Sequence, residues 1–148
     1  MNGFLFDLAF YVAAPFWALM ILAPTWGWTK RIAGSPWIVA PVLVVWLVLA
    51  VPRFPQLLAA VTQPSLPVLE SFVRDPGAVS LLWAQIIGWD LFIGRWMYLD
   101  SRERDVSPLV MGPVLVVTIL LSPVGLPLYL AIRQYVGRTR PVVVAAER

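Results

Sequence analysis

The feature that most constrains this chain is a set of four long stretches in which charged residues are almost absent. They run from about Phe4 to Pro24, from Ser35 to Val51, from Gly77 to Leu99 and from Ser107 to Ile132. A helix needs about 20 apolar residues to cross roughly 30 Å of hydrocarbon, so each stretch is a candidate membrane span. The chain is therefore predicted to be an all-α integral membrane protein with four transmembrane helices.

The composition agrees with this prediction and excludes several classes of protein. Of the 148 residues, 60% are hydrophobic and only 13% are charged, about half the charge of a soluble domain. His and Cys are absent, which excludes zinc fingers, disulfide scaffolds, Cys nucleophiles and Ser-His triads, and predicts no metal site. The basic residues lie between the apolar stretches, which is typical of membrane-protein loops and predicts no nucleic-acid partner.

Prolines inside the stretches are expected to kink the helices, because a proline removes a backbone hydrogen bond and clashes with the preceding turn. Pro15 lies in the first stretch, and Pro113, Pro123 and Pro127 lie in the fourth. The fourth helix is therefore predicted to be the most distorted.

The second stretch is short for a span and admits two interpretations. It begins at Ser35-Pro36, a good N-cap followed by proline at the first helical position. At Pro52 the helix either bends and continues to Val61, or ends there and is matched by a thinner bilayer. The connection Thr62–Pro76 is either an interfacial segment lying on the membrane or a plain loop.

Four spans in one domain, residues 1–136, would place both termini on the same side, with residues 137–148 as a C-terminal tail. That side would hold six basic residues: Arg53, Arg74, Arg133, Arg138, Arg140 and Arg148. The other would hold four: Lys30, Arg31, Arg102 and Arg104. Since basic residues are enriched in cytoplasmic loops, the termini of this multi-pass protein are predicted to be cytoplasmic.

Two charged residues, Asp90 and Arg95, lie inside the third stretch. A charge within a span costs about 2.5–3.5 kcal/mol on insertion scales, so such residues are paired, kept out of lipid or used in function. Five residues correspond to about 140° around a helix, so the two do not form a good intrahelical pair. Asp90 is a candidate proton donor near mid-depth and Arg95 a candidate partner for its charge or for a ligand oxygen, while the alternative for both is structural anchoring.

Three tryptophans on the same stretch, Trp83, Trp89 and Trp96, are candidate contacts for a flat apolar ligand such as a polyene. Trp89 and Trp96 are seven residues apart and share a helix face. The alternative is core packing and anchoring at the membrane interface. Gln85 is expected to form hydrogen bonds between helices.

The residues from Trp89 to Asp100, Trp-Asp-Leu-Phe-Ile-Gly-Arg-Trp-Met-Tyr-Leu-Asp, resemble the central signature of the abscisic-acid-deficient-four-like family, whose plant members are linked to neoxanthin synthesis. Pro15-Phe-Trp-Ala-Leu-Met-Ile-Leu-Ala-Pro24 is similar to the family's first helix, and Ser122-Pro-Val-Gly-Leu-Pro-Leu-Tyr129 to its last conserved element. The resemblance implies a four-helix membrane protein connected with carotenoids. Gln85 stands where many relatives carry His, and Ser122 replaces a Gly.

Two functions follow as hypotheses. In the first, the chain acts on or binds a membrane-dissolved carotenoid, and any catalysis is isomerase-like, with Asp90 and Arg95 as catalytic residues and a carotenoid as the bound group. In the second, it is a non-catalytic accessory subunit of a larger membrane assembly, such as a photosynthetic pigment-protein complex. The expected partners are the bilayer, a carotenoid, and other membrane subunits or further copies of the chain.

Overall fold

The computed structural model of the protein describes residues 2–139, and every element within that range is helical. The α-helices are α1 (Asn2–Leu22), α2 (Gly27–Gly34), α3 (Ala40–Ala50), α4 (Phe54–Thr62), α5 (Leu66–Val73), α6 (Pro76–Glu103), α7 (Pro108–Leu120) and α8 (Ser122–Thr139). Two 3₁₀ turns, Pro36–Val39 and Val51–Arg53, lead into α3 and join α3 to α4. The rest of the predicted C-terminal tail lies outside the described residues.

The second and third apolar stretches begin at N-caps formed by residues that are adjacent in sequence. The Ser35 hydroxyl accepts a hydrogen bond from the Trp37 N–H at 3.3 Å, with Pro36 in the first turn, as predicted. At the start of α6, the Asp75 carboxylate accepts from the Gly77 N–H at 2.9 Å, and Pro76 follows the cap. Both pairs satisfy backbone donors that a helix start otherwise leaves free.

Three helical segments within the described range are long and apolar enough to cross a membrane, namely Gly3–Leu22, Pro36–Thr62 and Pro76–Glu103. The second passes Pro52 through the 3₁₀ turn and continues, which is the longer of the two interpretations of that stretch. The connection Thr62–Pro76 contains α5 and so is not a plain loop.

Helices α1 and α6 run parallel. This is shown by their contacts, in which the residue numbers of the two partners differ by a nearly constant amount. Phe6 stacks on Trp83 with ring centroids 5.0 Å apart, and the Tyr98 hydroxyl donates to the Pro24 carbonyl at 2.7 Å. Between these levels, the Trp17 ring lies against Gly94 so closely that a Cβ there would clash. We call the end where α1 and α6 begin the N-side, and the end where they finish the C-side.

The segment Pro36–Thr62 runs antiparallel to α6. In its contacts with α6, a higher residue number on one helix goes with a lower number on the other, so that the sum of the two numbers is nearly constant. The Gly34 carbonyl just before the segment accepts from Arg95 at 2.8 Å, and Arg53, in the 3₁₀ turn that precedes α4, bonds Asp75 at 2.5 Å. It therefore leads from the C-side back to the N-side.

The stretch predicted as a fourth continuous helix is divided at Leu121, whose backbone is not helical (φ −148°, ψ 72°). Helix α7 leaves the C-side antiparallel to α6, and its Thr118 hydroxyl reaches the Met97 sulfur at 3.9 Å. Helix α8 then returns parallel to α6. Its Ser122 side chain lies beside Asp90, and Arg133 pairs with Asp100 at 3.2 Å.

Helices α7 and α8 thus form a hairpin whose tip reaches only the level of Asp90, near the middle of α6. The hairpin starts and ends on the C-side, while α1 starts on the N-side. The described residues therefore do not confirm the predicted count of four spans. Within the hairpin, α7 and α8 approach each other closely at Gly125, where a Cβ would lie 2.7 Å from the Thr118 Cα.

Helix α6 is the centre of the molecule. Half of the most apolar part of α6 is buried inside the protein, whereas the buried share is 22% for α1 and 28% for Pro36–Thr62. The main core lies between α1, α6 and the hairpin, and it includes Trp17, Met97, Leu115 and Tyr129.

Candidate functional site

One face of α6 stays exposed between the helices that pack on either side of it. Gln85, Trp89, Phe92 and Trp96 follow one another at spacings of four, three and four residues, which places them in a single line along a helix. The line is about 16 Å long at 1.5 Å per residue. Trp89 is 64% exposed and Phe92 51%, so this aromatic stripe faces away from the core.

A groove of about 450 Å³ lies between the stripe and α3. Its wall on α6 carries Gln85, Gly88, Trp89 and Phe92, and the opposite wall carries Val39, Val42, Leu43 and Trp46. Gly88 deepens the groove because it has no side chain of its own. The Gln85 amide supplies hydrogen-bonding atoms to a surface that is otherwise apolar and aromatic.

The three predicted ligand tryptophans occupy different surroundings. Trp89 lines the groove. Trp96 continues the stripe toward the C-side, where its ring meets Tyr129 edge-on at 5.8 Å and Arg133 lies over it at 5.7 Å. Trp83 lies elsewhere, stacked on Phe6 of α1. The structure therefore places two of the three on one surface, and it adds Phe92, which the three-and-four spacing could have revealed.

Asp90 is 7% exposed and faces the tip of the hairpin, where Ser122 is its partner. It follows Trp89 in sequence, but one residue is about 100° of rotation on a helix. Asp90 therefore points toward α8 while Trp89 lines the groove on the α3 side.

Arg95 binds a different part of the molecule from Asp90. Its Nη2 donates to the Gly34 carbonyl at 2.8 Å, at the end of α2, and its guanidinium lies 5.9 Å from the Phe92 ring centroid. Its Nε is buried without a hydrogen-bond partner. The two predicted catalytic residues are thus held by separate elements and are not brought together.

A polar cluster that sequence reasoning did not anticipate joins α6 to the hairpin on the C-side. The Asp100 Oδ2 atom accepts from the Tyr129 hydroxyl at 2.5 Å and from Arg104 Nε at 2.8 Å, and it lies 3.2 Å from Arg133 Nε. Tyr129 is fully buried. The cluster fixes α8 against α6 at the far end of the stripe.

A separate ion pair lies on the N-side. Arg53 bonds Asp75 at 2.5 Å and also donates to the Leu49 carbonyl at 3.1 Å. The hydrogen bond from Arg53, together with the Gly77 N–H, holds the pKa of Asp75 below its usual range. This pair fastens the junction of α3 and α4 to the start of α6.

Two of the sequence motifs contact each other in the structure. The signature Trp89–Asp100 and the element Ser122–Tyr129 lie side by side in parallel, joined near one end by Asp90 with Ser122 and at the other by Asp100 with Tyr129. The sequence matches the ABA DEFICIENT 4-like family over residues 4–129.

The chain belongs to the ABA DEFICIENT 4-like family.

No curated protein and no solved structure matches the chain. The match to the ABA DEFICIENT 4-like family ends at Tyr129, the residue whose hydroxyl binds Asp100. It covers α1 from its third residue, every element from α2 to α7, and α8 as far as Tyr129. Family membership and the apolar helices together establish a small membrane protein.

Proposed function

We propose that this protein binds a membrane-dissolved carotenoid along the aromatic stripe of α6. The observation that carries the proposal is the exposed alignment of Trp89, Phe92 and Trp96 beside an apolar groove. Aromatic faces stack well on flat apolar molecules, and a ligand dissolved in the bilayer can enter such a groove sideways. The family resemblance, which implies a connection with carotenoids, supports the same ligand class.

The proposal is for binding without conversion of the ligand. General acid catalysis needs the acid within hydrogen-bonding reach of the reacting atom, and Asp90 faces Ser122 on another side of α6. Arg95 lies beside Phe92 at one end of the stripe, where it suits a polar end group of the ligand. We therefore assign Asp90 a packing role at the hairpin tip.

The test is the pigment content of the full chain purified from a host that makes carotenoids. We expect pigment to copurify with the native chain and to be lost from Trp89→Leu and Phe92→Leu. Trp37→Leu is the matched control, because Trp37 is 76% exposed but lies outside the groove. Purification of folded native chain without pigment, or equal loss from the control, would contradict the proposal.

The same experiment separates binding from isomerisation. If the chain only binds, chromatography will show the same pigments in host membranes with and without the protein. New carotenoid isomers that disappear with Asp90→Asn would instead assign the chain an isomerase activity.

The accessory-subunit hypothesis is a second proposal, and it is favoured by the same exposed face. An aromatic surface of this kind also suits a helix of another subunit. Native gels after gentle solubilisation distinguish the two: a larger assembly from which Trp89→Leu dissociates favours the subunit, and a pigmented single chain favours the carotenoid.

We also propose a membrane arrangement of three crossings with the hairpin entering and leaving on the C-side. The basic residues then separate by side more sharply than in the four-span prediction. Arg53 and Arg74 lie on the N-side, while the C-side holds Lys30, Arg31, Arg102, Arg104 and Arg133. Under the positive-inside rule, the C-side faces the cytoplasm and the start of α1 faces the opposite compartment.

A further inference from the structure

The C-side carries a basic surface formed by α2 and the side chain of Arg95. We propose that this surface binds the headgroup of an anionic phospholipid. The proposal rests on the charges and the fixed position of α2, and Arg95 is the one residue that it shares with the proposed carotenoid site.

Helix α2 has one face in the protein and one face outside it. Thr29 and Ala33 are buried, whereas Trp28, Lys30 and Arg31 are exposed. Arg31 lies over the Trp28 ring at 5.3 Å. A short helix with an apolar buried face, exposed tryptophan and exposed basic residues is typical of the headgroup layer of a membrane.

Hydrogen bonds at both ends hold α2 at a fixed level. The Thr29 hydroxyl donates to the Ala23 carbonyl at 2.8 Å, and Tyr98 donates to the neighbouring Pro24 carbonyl at 2.7 Å. At the other end, Arg95 donates to the Gly34 carbonyl. The basic side chains of α2 therefore extend from a backbone that is already anchored to α6, which lowers the ordering cost of binding.

The cations here lack the carboxylates that neutralise arginines elsewhere in the molecule. Arg53 pairs with Asp75, while Arg104 and Arg133 pair with Asp100. Within residues 2–139, no carboxylate forms an ion pair with Lys30, Arg31 or Arg95, and the Arg95 Nε is buried without a partner. Uncompensated positive charge at this depth favours an anionic headgroup, because each basic residue near the membrane surface strengthens attraction to anionic lipid.

Exposed tryptophans frame the basic surface. Trp26 is 53% and Trp28 55% exposed, and Trp37 follows α2 at the start of the next segment. Tryptophan rings concentrate at the membrane interface. They place the basic groups at phosphate level, which distinguishes a lipid headgroup from a soluble anion.

The test measures the lipid that the purified full chain retains. The chain is mixed in mild detergent with equal amounts of phosphatidylglycerol and phosphatidylcholine of identical acyl chains, and bound lipid is quantified after gel filtration. We expect the native chain to retain phosphatidylglycerol preferentially, and the preference to fall about fivefold for each charge removed in Lys30→Gln and Arg31→Gln. Arg74→Gln, an exposed cation on the N-side, is the matched control and should keep the native preference.

Raising the ionic strength offers a second measurement that needs no variant. Screening should lower the phosphatidylglycerol preference of the native chain. Equal retention of the two lipids, an equal loss in Arg74→Gln, or insensitivity to salt would overturn the proposal. Displacement by soluble glycerol phosphate at the concentration of the lipid would also overturn it, since the site would then recognise a free phosphate.

Discussion

At the residue scale, two acids on α6, buried Asp90 and half-buried Asp100, show how this protein keeps charge away from lipid. A carboxylate within a span costs about 2.5–3.5 kcal/mol on insertion scales. Asp90 is turned toward the hairpin, where Ser122 lies beside it, and Asp100 is surrounded by Tyr129, Arg104 and Arg133. In both cases a partner comes from α8, which the sequence alone did not place there.

The Asp100 cluster gives the first prediction. Tyr129→Phe removes a buried hydroxyl that donates to a carboxylate, and a hydrogen bond to a charged group contributes about 1.5–3 kcal/mol. We expect the free energy of unfolding in detergent, followed by circular dichroism, to fall by that amount. Tyr11→Phe is the control, since Tyr11 is 66% exposed on α1; a loss as large in the control would refute a specific role for the cluster.

The Arg53–Asp75 pair predicts how stability depends on pH. The pKa of Asp75 is lower in the folded protein than in the unfolded chain, so the pair stabilises the fold at neutral pH. That contribution is lost as the pH falls below the ordinary pKa of an aspartate, about 3.9, and through the lower pKa of Asp75 in the folded protein. In acid unfolding curves, Asp75→Asn should flatten this part of the profile, whereas Glu70→Gln on α5 should leave it unchanged.

At the scale of elements, the α7–α8 hairpin is the main departure from a simple bundle. Leu121 lacks helical backbone, but its carbonyl accepts from the Val124 and Gly125 N–H groups at 2.9 and 3.0 Å. Irregular backbone at membrane depth requires such internal partners or a protein cover. The turn therefore meets part of its hydrogen-bonding need locally, and Asp90 and Ser122 attach it to α6.

Two glycines of the hairpin test this packing as a matched pair. A Cβ at Gly125 would lie 2.7 Å from the Thr118 Cα, whereas Gly112 in α7 has no neighbouring atom within 4 Å. We expect Gly125→Ala to force α7 and α8 apart and lower the unfolding free energy by about 1–3 kcal/mol. Gly112→Ala should be neutral or stabilising by up to about 1 kcal/mol, and equal effects of the two substitutions would contradict this packing.

At the scale of the whole molecule, the hairpin changes the relation between the two ends of the chain. A fourth complete span would return α8 to the N-side, where α1 begins. The contacts of α8 with Trp96 and Asp100 instead leave its end on the C-side. The proposed number of crossings, and with it the proposed orientation, rests on these contacts.

Because the chain has no native Cys, single cysteines can report this arrangement without background. We expect an impermeant thiol reagent to label Gln134→Cys at the end of α8 from the same side as Ser107→Cys before α7. Gln63→Cys, after α4, should be labelled only from the opposite side. Labelling of Gln134→Cys together with Gln63→Cys would show four crossings and exclude a hairpin that returns to the C-side.

The extent to which the sequence predicts the site varies along α6. The spacing of Trp89 and Trp96 places both on one face because a helix has a fixed period, and both side chains are exposed in the structure. Trp83 differs in its surroundings because Phe6 of α1 covers it, which is a contact between residues far apart in sequence. Periodicity orders the residues of a helix relative to one another, but it does not identify the face that a neighbouring helix will cover.

By itself, the sequence determined that the chain is helical and suited to a membrane, where the second and third apolar stretches begin, and which family it resembles. These properties follow from hydrophobicity, capping residues and local motifs, each of which acts over a few neighbouring residues. The tertiary structure alone decided that α7 and α8 fold back, that Asp90 and Arg95 bind separate elements, and that Asp100 holds Tyr129. A run from Ser107 to Ile132 is apolar whether it crosses the membrane once or turns at its middle, so the hairpin depends on Gly125 meeting Thr118 and on Asp90 meeting Ser122.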